Sequence, residues 1–271
     1  MHPAADPILL IGCGNMGGVL LRGWLARGRP ASTITIVDPA PAWLPEGMTA
    51  IPALPSDYPP PRAVVLAVKP QMLAKLARSL TNAIGPHTVL ISLLAAVEIA
   101  TLRAHFPTAG SVIRTVPNLP GAIGQGITAL AGNVRDEQER SLVGDLFASL
   151  GALEWLGEER LCDAATSVSG CGPAFLFRYA DAVVRAGVEQ GLDAEQARRL
   201  IAATMIGAGS MLRDSTESPA EMARRVASPG GVTLAGLAVL DCDDALVKLL
   251  GETLAAAARR SVEMAAEART H

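Results

Sequence analysis

Half of the 271 residues are apolar, only 3% are aromatic, and the net charge is −3. This composition predicts an ordinary globular core built mainly from small aliphatic side chains and folded as one or two domains. It excludes the basic surface of a nucleic-acid-binding protein and an acidic tail.

The cysteine spacing and the hydropathy of the chain indicate its metal content and its cellular compartment. Cys13, Cys162, Cys171 and Cys242 show no CxxC spacing, which argues against a zinc site and a disulfide framework. We therefore expect no metal and a reducing, cytoplasmic location. The first strand pattern begins within seven residues of the N-terminus without a basic leader, and no apolar run approaches the ~18 residues that a membrane span needs. A soluble protein is expected.

The first half of the chain alternates between short β-branched apolar runs and helical patterns. Such alternation predicts an α/β fold, with a Rossmann-like doubly wound parallel sheet over residues 1–158. The predicted strands span residues 8–12, 33–37, 63–68, 88–92 and 111–116.

Beyond about Arg160 the strand patterns stop and helical patterns follow. Residues 159–271 are therefore predicted to form an all-α domain. Two helices carry capping boxes at their starts, Asp193 with Gln196 and Ser218-Pro219 with Glu221. An Ala-rich final helix is predicted over 243–268.

A glycine motif joins the first predicted strand to the first predicted helix. Gly12-x-Gly14-x-x-Gly17 is the dinucleotide fingerprint, which combines a tight turn, close backbone approach to pyrophosphate and close helix-to-strand packing. A glycine turn that binds nothing is the alternative. Asp38 ends the second strand, where it could accept hydrogen bonds from an adenosine ribose and repel a 2′-phosphate. It favours NADH over NADPH, unless it is only a turn residue before Pro39.

The groups that usually protonate a reduced ketone are scarce in this sequence. The four histidines are His2, His87, His105 and His271, and the three lysines are Lys69, Lys75 and Lys248. Tyr179 has no lysine four residues downstream, so the Tyr-x-x-x-Lys pair is absent. Reduction of a ketone needs a placed acid, whereas a cyclic iminium carries its own proton. The sequence therefore favours an imine substrate.

The stretch Ser228-Pro229-Gly230-Gly231 separates two helical patterns. Pro229 fixes φ, and the two glycines leave N–H groups uncovered just before a helix that is predicted to begin at about Val232. A helix start of this kind can bind an anion. The alternative is a Schellman-like turn between two helices.

Five motifs resemble the pyrroline-5-carboxylate reductases of proline biosynthesis, in the same order and over essentially the whole chain. The SGxGPA and SPGGxT elements are specific to that family. The motifs are IGCGNMGG (11–18), AVKPQ (67–71), RTVPNLP (114–120), VSGCGPAFLFRYADA (168–182) and VASPGGVTLAGL (226–237).

The resemblance implies reduction of 1-pyrroline-5-carboxylate to L-proline by NADPH or NADH, in a Rossmann domain followed by a helical dimerisation domain. It implies an obligate homodimer, which can assemble into a ring of dimers. The loop Ser228–Thr233 would hold the substrate carboxylate, with Thr233 as the catalytic hydrogen-bond partner near the ring nitrogen. The implied substrate-binding residues are Ser228, Gly230, Gly231, Val232 and Thr233. The cofactor-binding residues, with Asp38 included for its charge, are Gly12, Cys13, Gly14, Asn15, Met16, Gly17, Asp38, Ala67, Val68, Lys69, Pro70, Pro117 and Asn118.

Some positions depart from the family pattern. Leu119 replaces the usual Thr of the PN-T-P element, and SLLAAV (92–97) replaces S-x-A-A-G. These departures leave open a related cyclic imine as substrate. A dehydrogenase of the β-hydroxyacid or imine-reductase type and a non-catalytic NAD(P)-binding regulator are further alternatives. The β-hydroxyacid type usually needs a helix-borne lysine, and no lysine lies in the helical half before Lys248.

Overall fold

The computed structural model describes residues 6–269, with the side chains of residues 6–267. The ends of the two predicted domains, residues 1–5 and 270–271, lie outside the described residues. The strands form one eight-stranded sheet. They are β1 (Ile8–Ile11), β2 (Ile34–Val37), β3 (Ala50–Ile51), β4 (Ala63–Leu66), β5 (Val89–Ser92), β6 (Ser111–Pro117), β7 (Gly126–Asn133) and β8 (Gly151–Trp155).

The sheet order is β3-β2-β1-β4-β5-β6-β7-β8. Strands β1 to β6 run parallel, β7 is antiparallel to β6, and β8 is parallel to β7. The predicted α/β Rossmann-like class is confirmed, and all five predicted strands are present. The short β3 and the two strands of the far edge, β7 and β8, were not predicted.

The helices lie between the strands in the first half and follow one another in the second. They are α1 (Asn15–Ala26), α2 (Leu73–Leu80), α3 (Ile99–His105), α4 (Glu137–Phe147), α5 (Leu161–Ala165), α6 (Gly172–Glu189), α7 (Ala194–Asp214), α8 (Pro219–Arg225), α9 (Val232–Asp241) and α10 (Ala245–Arg269). Both predicted capping boxes are confirmed, at Asp193 and Ser218.

Alternate residues of the parallel strands supply two cores, one on each face of the sheet. Ile8 and Leu10 of β1 pack with α1 and α4, whereas Leu9 and Ile11 pack with α2 and α3. Trp24 of α1 is buried in the first core, where its indole Nε1 donates to the carbonyl of Leu146 at 2.7 Å. The sheet is thus covered on both faces, as parallel sheets require.

The buried carboxylate of Glu139 links α4 to the amino-terminal ends of β4 and β6. Glu139 accepts hydrogen bonds from Ser111 at 2.5 Å, from Arg62 at 3.2 Å and from the Arg135 guanidinium. Burial raises the pKa of Glu139, but the bonds from Arg135, Ser111 and Arg62 outweigh it and hold the pKa at about 2. Glu139 is therefore ionised at neutral pH and anchors three segments of the chain.

The chain divides into two compact units, residues 6–171 with 257–269, and residues 172–256. Helix α10 begins in the second unit and ends in the first. These units are defined by contacts within a single chain. The predicted division into domains 1–158 and 159–271 stays a prediction. Among the described residues, no helix is long and apolar enough to cross a membrane.

Candidate functional site

The glycine turn between β1 and α1 is fixed by close packing. Gly12 has a φ of +92°, and its N–H donates to the carbonyl of Val37 at 2.9 Å. A Cβ at Gly12 would lie 2.6 Å from the Ala67 carbonyl oxygen, and one at Gly17 would lie 2.1 Å from the Gly12 oxygen. Only glycine satisfies both positions.

Gly14 differs from its two neighbours in the motif, because a Cβ there would meet nothing within 4 Å. It is the N-cap of α1, where no side chain caps the first amides and no acidic residue lies in the first turn. Open space in front of free N–H groups is what a pyrophosphate requires at a helix start. The residues present therefore fit a dinucleotide.

Asp38 is held against the glycine turn. Its Oδ2 accepts from the Cys13 N–H at 2.6 Å, and its Oδ1 accepts from the Ala40 N–H at 2.8 Å. Within the described side chains it makes no ion pair. The bond to Ala40 is that of a turn residue, while both carboxylate oxygens keep further lone pairs for a ribose. Both interpretations of Asp38 therefore apply to the same side chain.

The loop after β4 passes beside the glycine turn. The N–H of Ala67 donates to the Ile11 carbonyl at 2.8 Å. Val68 and the exposed Lys69 follow, and Pro70 opens a short 3-10 helix. The structure thus brings residues 12–17 together with Ala67, in the arrangement that the cofactor prediction requires.

Pro117 and Asn118 stand at the end of β6. The side-chain amide of Asn118 is hydrogen-bonded within the protein. Its Nδ2 donates to the Ser169 carbonyl at 3.2 Å, and its Oδ1 accepts from the Ile127 N–H at 3.0 Å. Asn118 therefore braces two neighbouring segments. Its contact with a cofactor stays a prediction.

A cavity of about 560 Å³ lies beside the carboxyl ends of β4, β5 and β6. Met16, Ala67, Val68 and Pro117, all predicted cofactor residues, form part of its wall. The remaining lining residues are Leu93, Leu94, Ala95, Ala96, Arg114, Thr115, Val116, Thr166, Gly170, Cys171, Ala257, Arg260, Ser261 and Met264. No sequence pattern predicted the four that belong to α10.

The polar side chains in the wall of this cavity are mostly bonded within the protein. Arg114, with 3% of its side chain exposed, pairs with Asp163 at 3.1 Å and with Glu159 at 3.5 Å. The Ser261 hydroxyl donates to the same Asp163 oxygen at 2.8 Å. These bonds join the wall of the cavity to α5 and to the end of α10.

The loop Ser228–Thr233, which was predicted to bind the substrate, begins with a β-turn. The Gly231 N–H donates to the Ser228 carbonyl at 2.9 Å, and Gly230 has a φ of +70° after Pro229. This is the pattern of a type II turn. Because Gly230 lies five residues beyond the end of α8 at Arg225, the turn is not a Schellman cap of that helix.

Helix α9 begins directly after the turn. Gly231 is its N-cap, and no side chain caps its first amides. Val232 is 92% exposed, and Thr233 is exposed with no hydrogen bond to its hydroxyl among the described residues. A Cβ at Gly231 would lie 2.4 Å from the Ser228 hydroxyl. The turn therefore occupies the Gly231 N–H, which was predicted to be uncovered, and leaves the first amides of α9 and the Thr233 hydroxyl as the unbonded donors. The loop belongs to residues 172–256, the second unit.

Gly14→Ala tests the dinucleotide site. The added methyl group meets no protein atom. The free energy of unfolding should therefore fall by at most about 1 kcal/mol, because alanine is a weaker N-cap than glycine. Affinity for NADPH should fall roughly tenfold or more, because the methyl group occupies the approach to the first amides. Thermal unfolding and fluorescence titration measure the two effects. Gly144→Ala in α4, which gains one contact at 4.0 Å, is the control. A stable Gly14→Ala protein with unchanged affinity would contradict the site.

Comparison with known proteins matches each part of the chain to a described family and the chain as a whole to pyrroline-5-carboxylate reductases. Residues 159–264 match the family described as pyrroline-5-carboxylate reductase dimerisation, and residues 7–96 match the family described as NADP oxidoreductase coenzyme F420-dependent. The pyrroline-5-carboxylate reductase of Pseudomonas aeruginosa is 35% identical over 266 residues, covering 95% of this chain and 96% of that protein. Pyrroline-5-carboxylate reductase 3 of Danio rerio is 33% identical, covering 92% of this chain and 88% of that protein.

Solved structures give the same relation. A pyrroline-5-carboxylate reductase from Coxiella burnetii superposes with a TM-score of 0.87 at 27% identity, covering 95% of this chain and 98% of that chain. The pyrroline carboxylate reductase of Plasmodium falciparum, with NADP bound, shares the fold with a TM-score of 0.78 at 23% identity. The predicted resemblance is confirmed: the chain belongs to the pyrroline-5-carboxylate reductase family of enzymes.

Proposed function

We propose that this protein reduces 1-pyrroline-5-carboxylate to L-proline with NADPH or NADH. The observation that carries the proposal is the relation to enzymes of this name along 95% of the chain. That span includes both the glycine turn of the first unit and the Ser228–Gly231 turn of the second. The predicted cytoplasmic location stays a prediction.

The coenzyme would be held at the start of α1. The N–H groups that follow Gly14 would bind the pyrophosphate, Asp38 would bind the adenosine ribose, and the loop from Ala67 to Pro70 would contact another part of the coenzyme. When bound, the reduced nicotinamide supplies a hydride. The match of residues 7–96 to an NADP oxidoreductase family supports NADPH, whereas the negative charge of Asp38 supports NADH.

The cavity beside the glycine turn suits a reaction that takes no proton from a strong acid. Among the described residues, the wall contains no His, Lys, Tyr, Asp or Glu, and the Arg114 guanidinium is paired with two carboxylates. Reduction of a carbonyl would require a positioned proton donor. A ring that is already an iminium does not, which favours a cyclic imine over a hydroxyacid substrate.

The loop from Ser228 to Thr233 is proposed to bind the substrate carboxylate. Its free amides stand at the start of α9, where a helix stabilises an anion by roughly 0.3–1 kcal/mol, and by up to ~2 when the site is partly buried. Positioning matters more than this energy, because a fixed carboxylate orients the ring for reaction. The exposed Thr233 hydroxyl is proposed to bond the ring nitrogen.

We further propose an obligate homodimer. Among residues 172–256 only Pro173, Ala197 and Ile201 are buried. This is too little to stabilise four helices and the first half of α10. Large apolar side chains such as Phe177 and Ile206 are instead 63% and 73% exposed. A second copy of the chain would bury these side chains. Residues 159–264 match a dimerisation family. Assembly into a ring of dimers stays a prediction.

The reaction itself is the first test. The purified protein with racemic 1-pyrroline-5-carboxylate should oxidise NADH and NADPH and release proline. NADH should be at least competitive, because Asp38 is an acidic residue directly after β2, where it favours a ribose hydroxyl over a 2′-phosphate. The ratio of the two kcat/KM values measures the preference. Dinucleotide binding without formation of proline would support the regulator instead. A strong NADPH preference would remove the ribose role of Asp38.

Thr233→Ala tests the mechanism. If the hydroxyl only orients the ring nitrogen, turnover should fall by about tenfold at most, since one neutral hydrogen bond contributes roughly 0.5–1.5 kcal/mol. Thr233→Ser should restore most of it. If Thr233 is instead an obligatory general acid, turnover of Thr233→Ala should fall by about 10²–10⁴-fold.

Gly231→Val is the companion variant for the carboxylate site. Its side chain would clash with the Ser228 hydroxyl and cover the amides, so the KM for 1-pyrroline-5-carboxylate should rise more than in Thr233→Ala. An unchanged KM would remove the loop from the substrate site.

Ile206→Glu tests the homodimer. Light scattering of the unaltered protein should give at least twice the 28.0 kDa of one chain. A charge at Ile206 should break this assembly or make the protein insoluble, because the side chain would be buried against the second copy. Ile123→Glu, at a residue of the first unit that is 78% exposed, should leave the mass unchanged. A stable, active monomer of the unaltered protein would contradict the proposal.

A further inference from the structure

The segment between β2 and β3 has no helix within its twelve residues, 38–49, and it contains Pro39, Pro41 and Pro45. It folds back onto the glycine turn. The Ala42 N–H donates to the Cys13 carbonyl at 3.2 Å, and the Cys13 thiol donates to the Trp43 carbonyl at 3.5 Å. Together with the bond to Asp38, these contacts occupy the N–H, the carbonyl and the thiol of Cys13. Trp43 is therefore fixed beside the glycine turn.

The Arg22 guanidinium lies over the indole ring of Trp43. The guanidinium carbon of Arg22 lies 5.0 Å from the centroid of the indole ring, a cation–π contact. The Arg22 side chain folds back toward the start of α1, since a Cβ at Gly18 would lie 3.7 Å from Nη1. Within the described side chains Arg22 makes no ion pair and no hydrogen bond, so its five donors are free.

Two opposite charges thus flank Cys13. Burial and the negative charge of Asp38 raise the pKa of the Cys13 thiol, and the positive charge of Arg22 lowers it. Both groups are therefore within electrostatic range of the same residue of the glycine turn. In dinucleotide-binding sheets an acid at the end of the second strand selects a ribose hydroxyl, whereas a nearby arginine accommodates a 2′-phosphate.

We propose that Arg22 binds the 2′-phosphate of NADPH and that Trp43 is its positioning residue. This rests on the proposed dinucleotide site. Asp38 alone would select NADH, because its charge repels the phosphate. The guanidinium offsets that repulsion and offers the bidentate donors that phosphate prefers. Arg22 is therefore the specificity-determining residue that lets the protein accept both coenzymes.

The test measures binding and needs no turnover. Titration of Arg22→Gln with 2′-AMP and with 5′-AMP separates the 2′-phosphate from the rest of adenosine. Affinity for 2′-AMP and for NADPH should fall by about tenfold, as expected for loss of a charged hydrogen bond, while 5′-AMP and NADH should change less than about twofold. Trp43→Ala should shift the same ligands in the same direction by a smaller factor, and Trp43→Phe should restore most of it.

Arg27→Gln is the matched control, because it removes an exposed arginine at the far end of the same helix. It should change neither affinity. Equal weakening of 2′-AMP and 5′-AMP in Arg22→Gln would assign Arg22 to the pyrophosphate or to the fold and overturn the proposal, as would no change in either. Unaltered protein that binds NADH but not 2′-AMP or NADPH would overturn it while leaving the dinucleotide site in place. Failure to bind any of the four ligands would refute the dinucleotide site itself.

Discussion

The close approach of α1 to the end of β1 is the constraint on which the site depends. With a Cβ at Gly17 only 2.1 Å from the Gly12 oxygen, any larger residue would push the helix away from the sheet. That contact sets the start of α1 beside Ala67 and brings Cys13 to the carboxylate of Asp38. The N–H groups at the start of α1, the Asp38 carboxylate and the part of the cavity wall at Ala67 are therefore positioned by one backbone contact.

The described residues of the candidate site offer groups that can position a ligand, rather than groups that usually transfer a proton. The wall of the cavity is largely apolar, and Arg114, its most buried charge, is neutralised by carboxylates from the β8–α5 segment and from α5 itself. The substrate loop offers backbone amides and one hydroxyl rather than an acid or a base. Such a protein can reduce a substrate that is already an iminium, and 1-pyrroline-5-carboxylate is a cyclic imine of this kind.

The second unit leaves most of its apolar side chains exposed in a single chain. Its helices have good caps at Asp193 and Ser218, so each helix is well defined locally. Their apolar faces are nevertheless mostly exposed in a single chain, and packing of such faces supplies most of the stability of helices in proteins. Association of two chains would therefore complete the core of this unit.

The sequence by itself determined the features that depend on local geometry. The three glycines of the fingerprint, the capping boxes, the turn at Ser228 and the five inner strands each follow from residues that are close together in the chain, and the family motifs added the role of each segment. The tertiary structure decided the rest. Strand β7 is interrupted by glycine at both ends and has only Ile127 and Thr128 as β-branched residues, and β8 has glycine, Glu154 and no β-branched residue. These strands form because β6 offers an unpaired edge to β7, and β7 then offers one to β8. The α10 wall of the cavity, the bond of Asp163 to Ser261 and the contact of Arg22 with Trp43 join residues that are distant in the chain. No local pattern predicts them, because such contacts are fixed only when the sheet and its helices pack together.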